Sequence, residues 1–127
     1  MKLILLTILA HLVADFTLQG WFCNAKQKVW WLIECEKFKV DFEDYKHDYK
    51  VALFLHSLYW SIIVLLPALF LSKISNETLL FLLVCNTLIH CGIDNEKANK
   101  GTMNLFVDQL FHFIQLTIII LTAFAWR

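Results

Sequence analysis

Four long hydrophobic runs alternate with polar connections along the chain, at about 3–22, 51–71, 78–94 and 105–126. As helices, three of them are long enough to cross a hydrocarbon core of about 30 Å, and the third run reaches that length with its flanks. None shows the strict period-two alternation of a barrel strand. The pattern predicts an all-α fold, a four-helix transmembrane bundle that forms a single integral membrane domain over residues 1–127.

The connection at 23–50 is long and holds twelve of the 22 charged residues. It also contains an apolar patch, residues 29–33, in which paired tryptophans lie close to lysines. Tryptophan and lysine side by side favour the headgroup region of a bilayer. This pattern leaves two alternatives for the connection, an interfacial amphipathic helix or an irregular loop.

Lysine and arginine are distributed unevenly between the two sides of the predicted bundle. The connections at 23–50 and 95–104 hold eight lysines, whereas the opposite side holds only Lys2, Lys73 and Arg127. Because basic residues favour the cytoplasmic side, the count predicts a cytoplasmic 23–50 connection and extracytoplasmic termini in a multi-pass inner-membrane protein.

The composition agrees with a membrane location. Hydrophobic residues make up 59% and charged residues 17%, against about 45–50% and about 25% in soluble domains. Eleven basic and eleven acidic residues balance, so no basic excess is available for a nucleic-acid backbone. The expected partner is the lipid bilayer, with a homo-oligomer as a further possibility and no nucleic acid.

Seven histidines and aspartates interrupt the hydrophobic runs. A charged group at the centre of a transmembrane helix costs about 2.5–3.5 kcal/mol on insertion scales, so each needs a reason. Six of the seven form pairs four residues apart, which places both members of a pair on one helical face. The set comprises His11 with Asp15, His90 with Asp94, Asp108 with His112, and the single His56.

The order within the pairs predicts a common depth. In the first and third runs the aspartate follows the histidine, and in the fourth, which runs the opposite way, it precedes it. Every aspartate is therefore nearer the cytoplasm, about 6 Å from its histidine along the axis. His56 falls in the same layer, so the four helices are expected to form one cluster in the cytoplasmic half of the membrane.

Four imidazoles and three carboxylates suit a divalent transition metal, with zinc expected first and iron or manganese as alternatives. Seven ligands exceed one tetrahedral site, so one or two ions are expected. Two other interpretations stay open. The aspartates and histidines can pair with one another and only fix helix packing, or two histidines can ligate a haem, which does not need three buried aspartates.

Other polar residues are expected near the same layer. Gln19 lies one turn beyond Asp15, and Gln109 follows Asp108. Either glutamine suits a substrate contact or ordinary interhelical hydrogen bonding. Lys26 and Lys97 are expected at the cytoplasmic rim, where they would bind an anionic substrate or serve as positive-inside anchors.

The residues just named resemble the DUF3307 family of small bacterial and phage membrane proteins. The matching elements are His11-Leu-Val-Ala-Asp15-Phe-x-Leu-Gln19 with Trp21 and Lys26, then His56, His90-x-x-x-Asp94-x-x-Lys97, and Asp108-Gln109-x-x-His112. The resemblance implies the cluster but no reaction. A looser similarity connects the chain to inner-membrane proteins proposed to be metal-dependent hydrolases. The charged insert after Lys26 departs from the family pattern.

Two functional hypotheses follow. The first is a metal-dependent hydrolase that acts at the cytoplasmic leaflet on a phosphoester or lipid-like substrate, with Asp15, Asp94 and Asp108 as the candidate catalytic bases. The second is a non-enzymatic metal-binding membrane protein, such as an ion carrier, a sensor or an oligomeric channel. A phage-type holin is a third possibility, although a holin does not need seven buried ionisable residues.

Overall fold

The computed structural model describes residues 1–126, which are helical without any β-strand, and this confirms the predicted all-α class. Arg127, which enters the basic-residue count, lies outside the described residues. Two π-helical segments, Val13–Thr17 and Glu96–Lys100, extend the first and sixth helices. The α-helices are α1 (Lys2–Leu12), α2 (Phe22–Ala25), α3 (Lys28–Phe38), α4 (Phe42–Tyr45), α5 (Asp48–Leu71), α6 (Asn76–Asn95) and α7 (Leu105–Ala125).

Three helical stretches are long and apolar enough to cross a membrane: Phe42–Leu71, Asn76–Lys100 and Leu105–Ala125. They contain the predicted runs 51–71, 78–94 and most of 105–126. Side-chain caps mark all three starts, and at the first of them Asp41 accepts a hydrogen bond from the Glu43 amide. Ser75 accepts a hydrogen bond from the Thr78 amide, and Asn104 accepts one from the Val107 amide, which satisfies donors that a helix start leaves free.

The first predicted run, 3–22, is not one continuous helix, so four spanning helices are not confirmed. Helix α1 has 11 residues, and the π-segment that carries Asp15 adds five. At 1.5 Å per residue this stretch covers about 24 Å, which is short of a hydrocarbon core. The chain then turns through Gly20, whose φ of 49° is in the left-handed region that glycine adopts without strain.

The 23–50 connection forms three short helices, α2, α3 and α4, so it is helical rather than an irregular loop. The predicted amphipathic character is not found, because the apolar side chains of α3 are spread around the helix. Asn99, in the second π-segment, fixes the junction between α2 and α3. Its side chain accepts from the Lys28 amide at 2.7 Å and donates to the Lys26 carbonyl oxygen at 3.0 Å. This contact holds Lys26 beside the end of α6. The location of α3 relative to a bilayer stays a prediction.

Helices α1, α5, α6 and α7 pack against one another, with α5 in contact with the other three. Their shared interior has an apolar half and a polar half. Buried apolar residues such as Val64 and Leu116 fill one half, and the buried histidines and aspartates fill the other. The outer faces of the same helices expose large apolar side chains, among them Phe70 and Phe81, as a lipid-facing surface requires.

Candidate metal centre

The structure brings all seven predicted histidines and aspartates into one buried cluster. The four imidazoles are fully buried, and the three carboxylates are at most 6% exposed. The His90 and His112 rings stack with centroids 4.3 Å apart, and the His56 ring lies 5.3 Å from His90. Residues from α1, α5, α6 and α7 therefore meet, as the common face and depth of the pairs predict.

Two of the three pairs make the contact that their spacing predicts. His90 Nε2 lies 3.7 Å from Asp94 Oδ1, and His112 Nε2 lies 3.3 Å from Asp108 Oδ1. The first pair differs, because Asp15 lies in the π-segment rather than in regular α-helix. A π-segment changes the turn angle between successive residues, and such segments are frequent at functional sites.

His11 is held by hydrogen bonds on both ring nitrogens. Trp60 Nε1 donates to His11 Nδ1 at 3.1 Å, and His11 Nε2 pairs with Gln109 Oε1 at 3.0 Å. Because an indole N–H only donates, Nδ1 is the acceptor and Nε2 carries the proton. In this arrangement His11 has no free lone pair for a metal, which differs from its predicted role as a ligand.

Gln109 connects His11 to two carboxylates. Its Oε1 accepts from His11, so its Nε2 is the donor that bonds Asp15 Oδ2 at 2.8 Å and Asp108 Oδ2 at 3.2 Å. Gln19 Nε2 donates to the other oxygen of Asp15 at 2.8 Å. Both predicted glutamines therefore position carboxylates of the cluster.

His112 presents an unbonded nitrogen to the centre of the cluster. Gln115 donates through Nε2 to the Asn86 carbonyl oxygen and Asn86 Oδ1, so its Oε1 faces His112 Nδ1, 3.4 Å away. This pairing assigns the proton of a neutral His112 ring to Nδ1. The Nε2 lone pair then points between Asp94 Oδ1, at 3.5 Å, and Asp108 Oδ1, at 3.3 Å. A lone pair between two carboxylate oxygens requires a cation, either a proton or a metal ion.

Three imidazole nitrogens converge on the Asp94 carboxylate. The Nε2 atoms of His90 and His112 face Oδ1, and His56 Nε2 lies 3.3 Å from Oδ2. His56 Nε2 and His90 Nε2 are 3.4 Å apart. The ligand atoms of a tetrahedral site with bonds of about 2.1 Å lie about 3.4 Å from one another. The separations around Asp94 are close to that value.

Two groups of three side chains bring ligand atoms within 4.8 Å of one another and could hold a metal ion. One is Asp15, His56 and His90, and the other is His90, Asp94 and His112. Several buried atoms of these side chains and their neighbours have no hydrogen-bond partner within residues 1–126: His56 Nδ1, His90 Nδ1, His112 Nε2 and Asp108 Oδ1. Buried polar atoms without partners are rare in folded proteins, and His112 Nε2 with Asp108 Oδ1, 3.3 Å apart, are the two of these atoms that fit a bound cation.

Both predicted rim lysines turn inward and bind carboxylates of the cluster. Lys26 Nζ donates to Asp94 Oδ2 at 2.6 Å, and Lys97 Nζ donates to Asp108 Oδ2 at 2.5 Å. In both Asp94 and Asp108, Oδ2 accepts a hydrogen bond from a lysine and Oδ1 faces His112. With neutral imidazoles, three carboxylates and two ammonium groups leave the cluster with a net charge of −1.

A polar cavity of about 280 Å³ opens beside the cluster. Gln19, Cys23, Lys26 and Lys97 line it, and Asp94 forms part of its wall. Three of the four residues predicted to contact a substrate therefore share one cavity. The fourth, Gln109, lies deeper, between His11 and the carboxylates.

Sequence reasoning missed two residues that hold the histidines in place. Trp60 stacks on His90 with centroids 4.2 Å apart while its indole N–H bonds His11. It follows His56 by four residues, the same spacing that identified the pairs. Gln115 follows His112 by three residues, and its Oε1 faces His112 Nδ1.

No family model, no curated protein and no solved structure matches this chain. The resemblance to the DUF3307 family therefore stays a prediction.

Proposed function

We propose that the protein is a metal-dependent hydrolase of the inner membrane, with its site in the cytoplasmic half of the bilayer. In this proposal α1, α5, α6 and α7 form a four-helix transmembrane bundle, and both termini are extracytoplasmic. Three helices of sufficient length and apolarity support the membrane location. The uneven distribution of lysines supports the orientation.

The metal is held by His90, Asp94 and His112. The single observation that carries this assignment is the convergence of buried, mutually close ligand atoms on the Asp94 carboxylate. The other candidate group also uses His90, so simultaneous occupation would need both nitrogens of that ring. One ion is therefore proposed, and two nitrogens with one oxygen suit zinc, with iron or manganese as alternatives.

A metal at this place would polarise a substrate oxygen and lower the pKa of bound water. Asp108 is the proposed general base, because it belongs to neither candidate ligand group and its Oδ1 is buried without a hydrogen-bond partner in residues 1–126. Lys97 and Gln109 bind its other oxygen and so hold Oδ1 toward His112. Its role is to accept a proton from the attacking water.

An amphiphilic substrate fits the surroundings of the site. An apolar groove of about 390 Å³ runs between α1 and α5 and extends to Val13, two residues before Asp15. Leu6, Leu9 and Phe70 are among the side chains that line it. A hydrocarbon chain in this groove would have its polar end near the cluster.

Elemental analysis of the protein purified in dodecyl maltoside tests the metal assignment. We expect about one transition-metal ion per chain in the wild type and loss of that ion in His112→Gln. The matched control is His47→Gln, because His47 is exposed and lies outside the cluster. Absence of a stoichiometric ion from the wild type, or equal metal content in the two variants, would refute the site.

The lysine contacts favour one alternative, a non-enzymatic protein in which the cluster stabilises packing or only binds the ion. Ion pairs such as Lys26–Asp94 neutralise two of the three carboxylates without a metal. A carrier in a single subunit is disfavoured, because buried Trp60, Val64 and Leu116 fill the interior on the other side. A panel of phosphate and carboxylate esters distinguishes the two: metal-dependent turnover that Asp108→Asn abolishes supports the enzyme.

A further inference from the structure

We propose that Lys26 and Lys97 form an oxyanion subsite that binds the phosphoryl group of the substrate. This inference rests on the proposed function for its catalytic meaning and defines the substrate class more narrowly, as a phosphoester rather than a carboxylic ester. The observations that carry it are the cavity beside the cluster, the two ammonium groups in its wall, and the way each ammonium is held.

Both ammonium groups retain donors that no residue uses. An ammonium group has three N–H donors. Within residues 1–126, Lys26 has Asp94 as its side-chain acceptor and Lys97 has Asp108. Two donors on each lysine are left, and the Lys26 side chain is only 11% exposed, whereas that of Lys97 is 35% exposed. The buried donors of Lys26 need acceptors, and the cavity that both lysines line is the space that can supply them.

The carboxylates keep the two lysines in place. A charge-assisted bond of 2.6 Å fixes Lys26 Nζ at Asp94, and one of 2.5 Å fixes Lys97 Nζ at Asp108. Neither ammonium has to be ordered when a ligand arrives, which reduces the entropic cost of binding. Asp94 is at once the partner of Lys26 and a proposed metal ligand, so the subsite adjoins the metal.

The charge balance selects an anion. The cluster with both lysines carries −1, and one divalent ion changes this to +1. A bound anion then restores a neutral or negative site in a region of low dielectric, where uncompensated charge is costly. A neutral carboxylic ester provides no charged oxygen for two ammonium groups, whereas a phosphoryl group provides several. Lysine is a common phosphate binder.

The cavity is large enough for this group. Its volume of about 280 Å³ corresponds to about nine water molecules at about 30 Å³ each, which leaves room beyond a single phosphoryl group. Gln19 lies in the same wall and bonds Asp15 through its amide nitrogen, so its oxygen remains available for an ester or hydroxyl group of the substrate.

Protection of Cys23 tests the subsite without altering the lysines. Cys23 is exposed and lines the cavity, so an anion bound there should block its alkylation. The experiment measures the rate of Cys23 modification by iodoacetamide, read by mass spectrometry, with inorganic phosphate added to the metal-loaded protein. At ten times the dissociation constant, the rate should fall about tenfold by mass action. Potassium chloride at equal ionic strength should give no protection.

Lysine variants test whether the two ammonium groups are responsible for the protection of Cys23 by phosphate. Lys97→Gln should raise the phosphate concentration needed for protection by about tenfold or more, since each charge-assisted bond contributes about 1.5–3 kcal/mol. Lys28→Gln is the matched control, because Lys28 is exposed and absent from the cavity wall. Lys97 is less buried than Lys26, so its variant is the safer test of binding if Lys26→Gln fails to fold.

Two further measurements distinguish a lipid headgroup from free phosphate as the ligand, and distinguish failure of the subsite from failure of the metal assignment. Dodecyl phosphate mixed into dodecyl maltoside micelles presents the same group on a chain, and protection by it at a lower concentration than inorganic phosphate assigns the subsite to a lipid headgroup. If phosphate still protects Cys23 in EDTA, the lysine subsite binds phosphate without a metal, and the subsite stands even if the metal assignment fails. No protection of the metal-loaded wild type, or equal protection of Lys97→Gln and Lys28→Gln, overturns the subsite.

Discussion

The ion pair between Lys26 and Asp94 gives a quantitative prediction. Asp94 is 2% exposed and the Lys26 side chain 11%, at an N–O distance of 2.6 Å. Removing one partner leaves the other charge in the interior, which costs about 3–5 kcal/mol when nothing else compensates it. Asp94→Asn should lose that much unfolding free energy in EDTA, and Lys26→Met should lose less, because without a metal His112 can take up a proton 3.5 Å from Asp94.

The double variant Lys26→Met with Asp94→Asn should recover most of the loss, because neither charge is left in the interior. The expected coupling free energy is about 2–4 kcal/mol. Unfolding in dodecyl maltoside with increasing sodium dodecyl sulfate, followed by tryptophan fluorescence, measures the unfolding free energy of the wild type, the two single variants and the double variant.

The same chain supplies a matched control in the pair Lys46–Glu43. Its N–O distance is 2.7 Å, but the two side chains are 45% and 68% exposed. A solvent-exposed pair of this kind is screened by water and should give a coupling close to zero. If the cycle at Lys26 and Asp94 gives a coupling as small as this control, the reasoning from burial is wrong.

Three further predictions concern the metal, the reaction and the topology. Gln115→Leu removes the acceptor that orients His112 and should weaken metal affinity about 10–100-fold, measured by competition with a chromogenic chelator; an unchanged affinity would contradict the assignment of the His112 proton. Asp108→Asn should keep the metal but abolish turnover of a phosphoester, and parallel loss of metal would make Asp108 a ligand instead. A membrane-impermeant maleimide should label Cys23 only after cells are permeabilised, and rapid labelling of intact cells would invert the topology. Cys35 should react slowly in either case, because burial, assisted by the negative charge of Asp48, raises the pKa of its thiol.

Helical periodicity was sufficient to predict the centre of the cluster. The contacts between His90 and Asp94 and between Asp108 and His112 follow from a spacing of four on regular helix. The two helices run in opposite directions and carry their histidine and aspartate in opposite order, so both aspartates lie at the same depth. Both arguments need only the positions of a few polar residues in apolar runs, and they hold because α6 and α7 are regular at those positions.

The first helix shows where this reasoning stops. The spacing of His11 and Asp15 also predicts a pair, but the π-segment begins at Val13 and changes the direction in which Asp15 points. His11 bonds Trp60 and Gln109 instead. Nothing in the local sequence indicates a π-segment, since it is stabilised by contacts with residues distant in the chain.

The sequence places both lysines at the end of the bundle that holds the aspartates, but it does not predict that each lysine binds a carboxylate of the cluster. A positive residue at a helix end ordinarily extends into water or toward headgroups. Lys26 instead reaches a carboxylate 68 positions away, because Asn99 ties the start of α3 to the second π-segment. Such a contact depends on how the 23–50 connection folds back, which hydropathy does not specify.

The hydrogen bonds of Gln109 also determine the order in which the chain can assemble during synthesis. Asp15 is made early, yet the amide that binds one of its oxygens lies 94 residues later, in the last helix. Until α7 has been made, Gln19 is the hydrogen-bond partner left to Asp15, and His11 lacks its contact with Gln109. The polar face of α1 is therefore incompletely paired until α7 docks, and docking of α7 completes the hydrogen bonds of Asp15 and His11. A chain interrupted before α7 should be recognised as unassembled and degraded, although it contains three of the four histidines of the cluster.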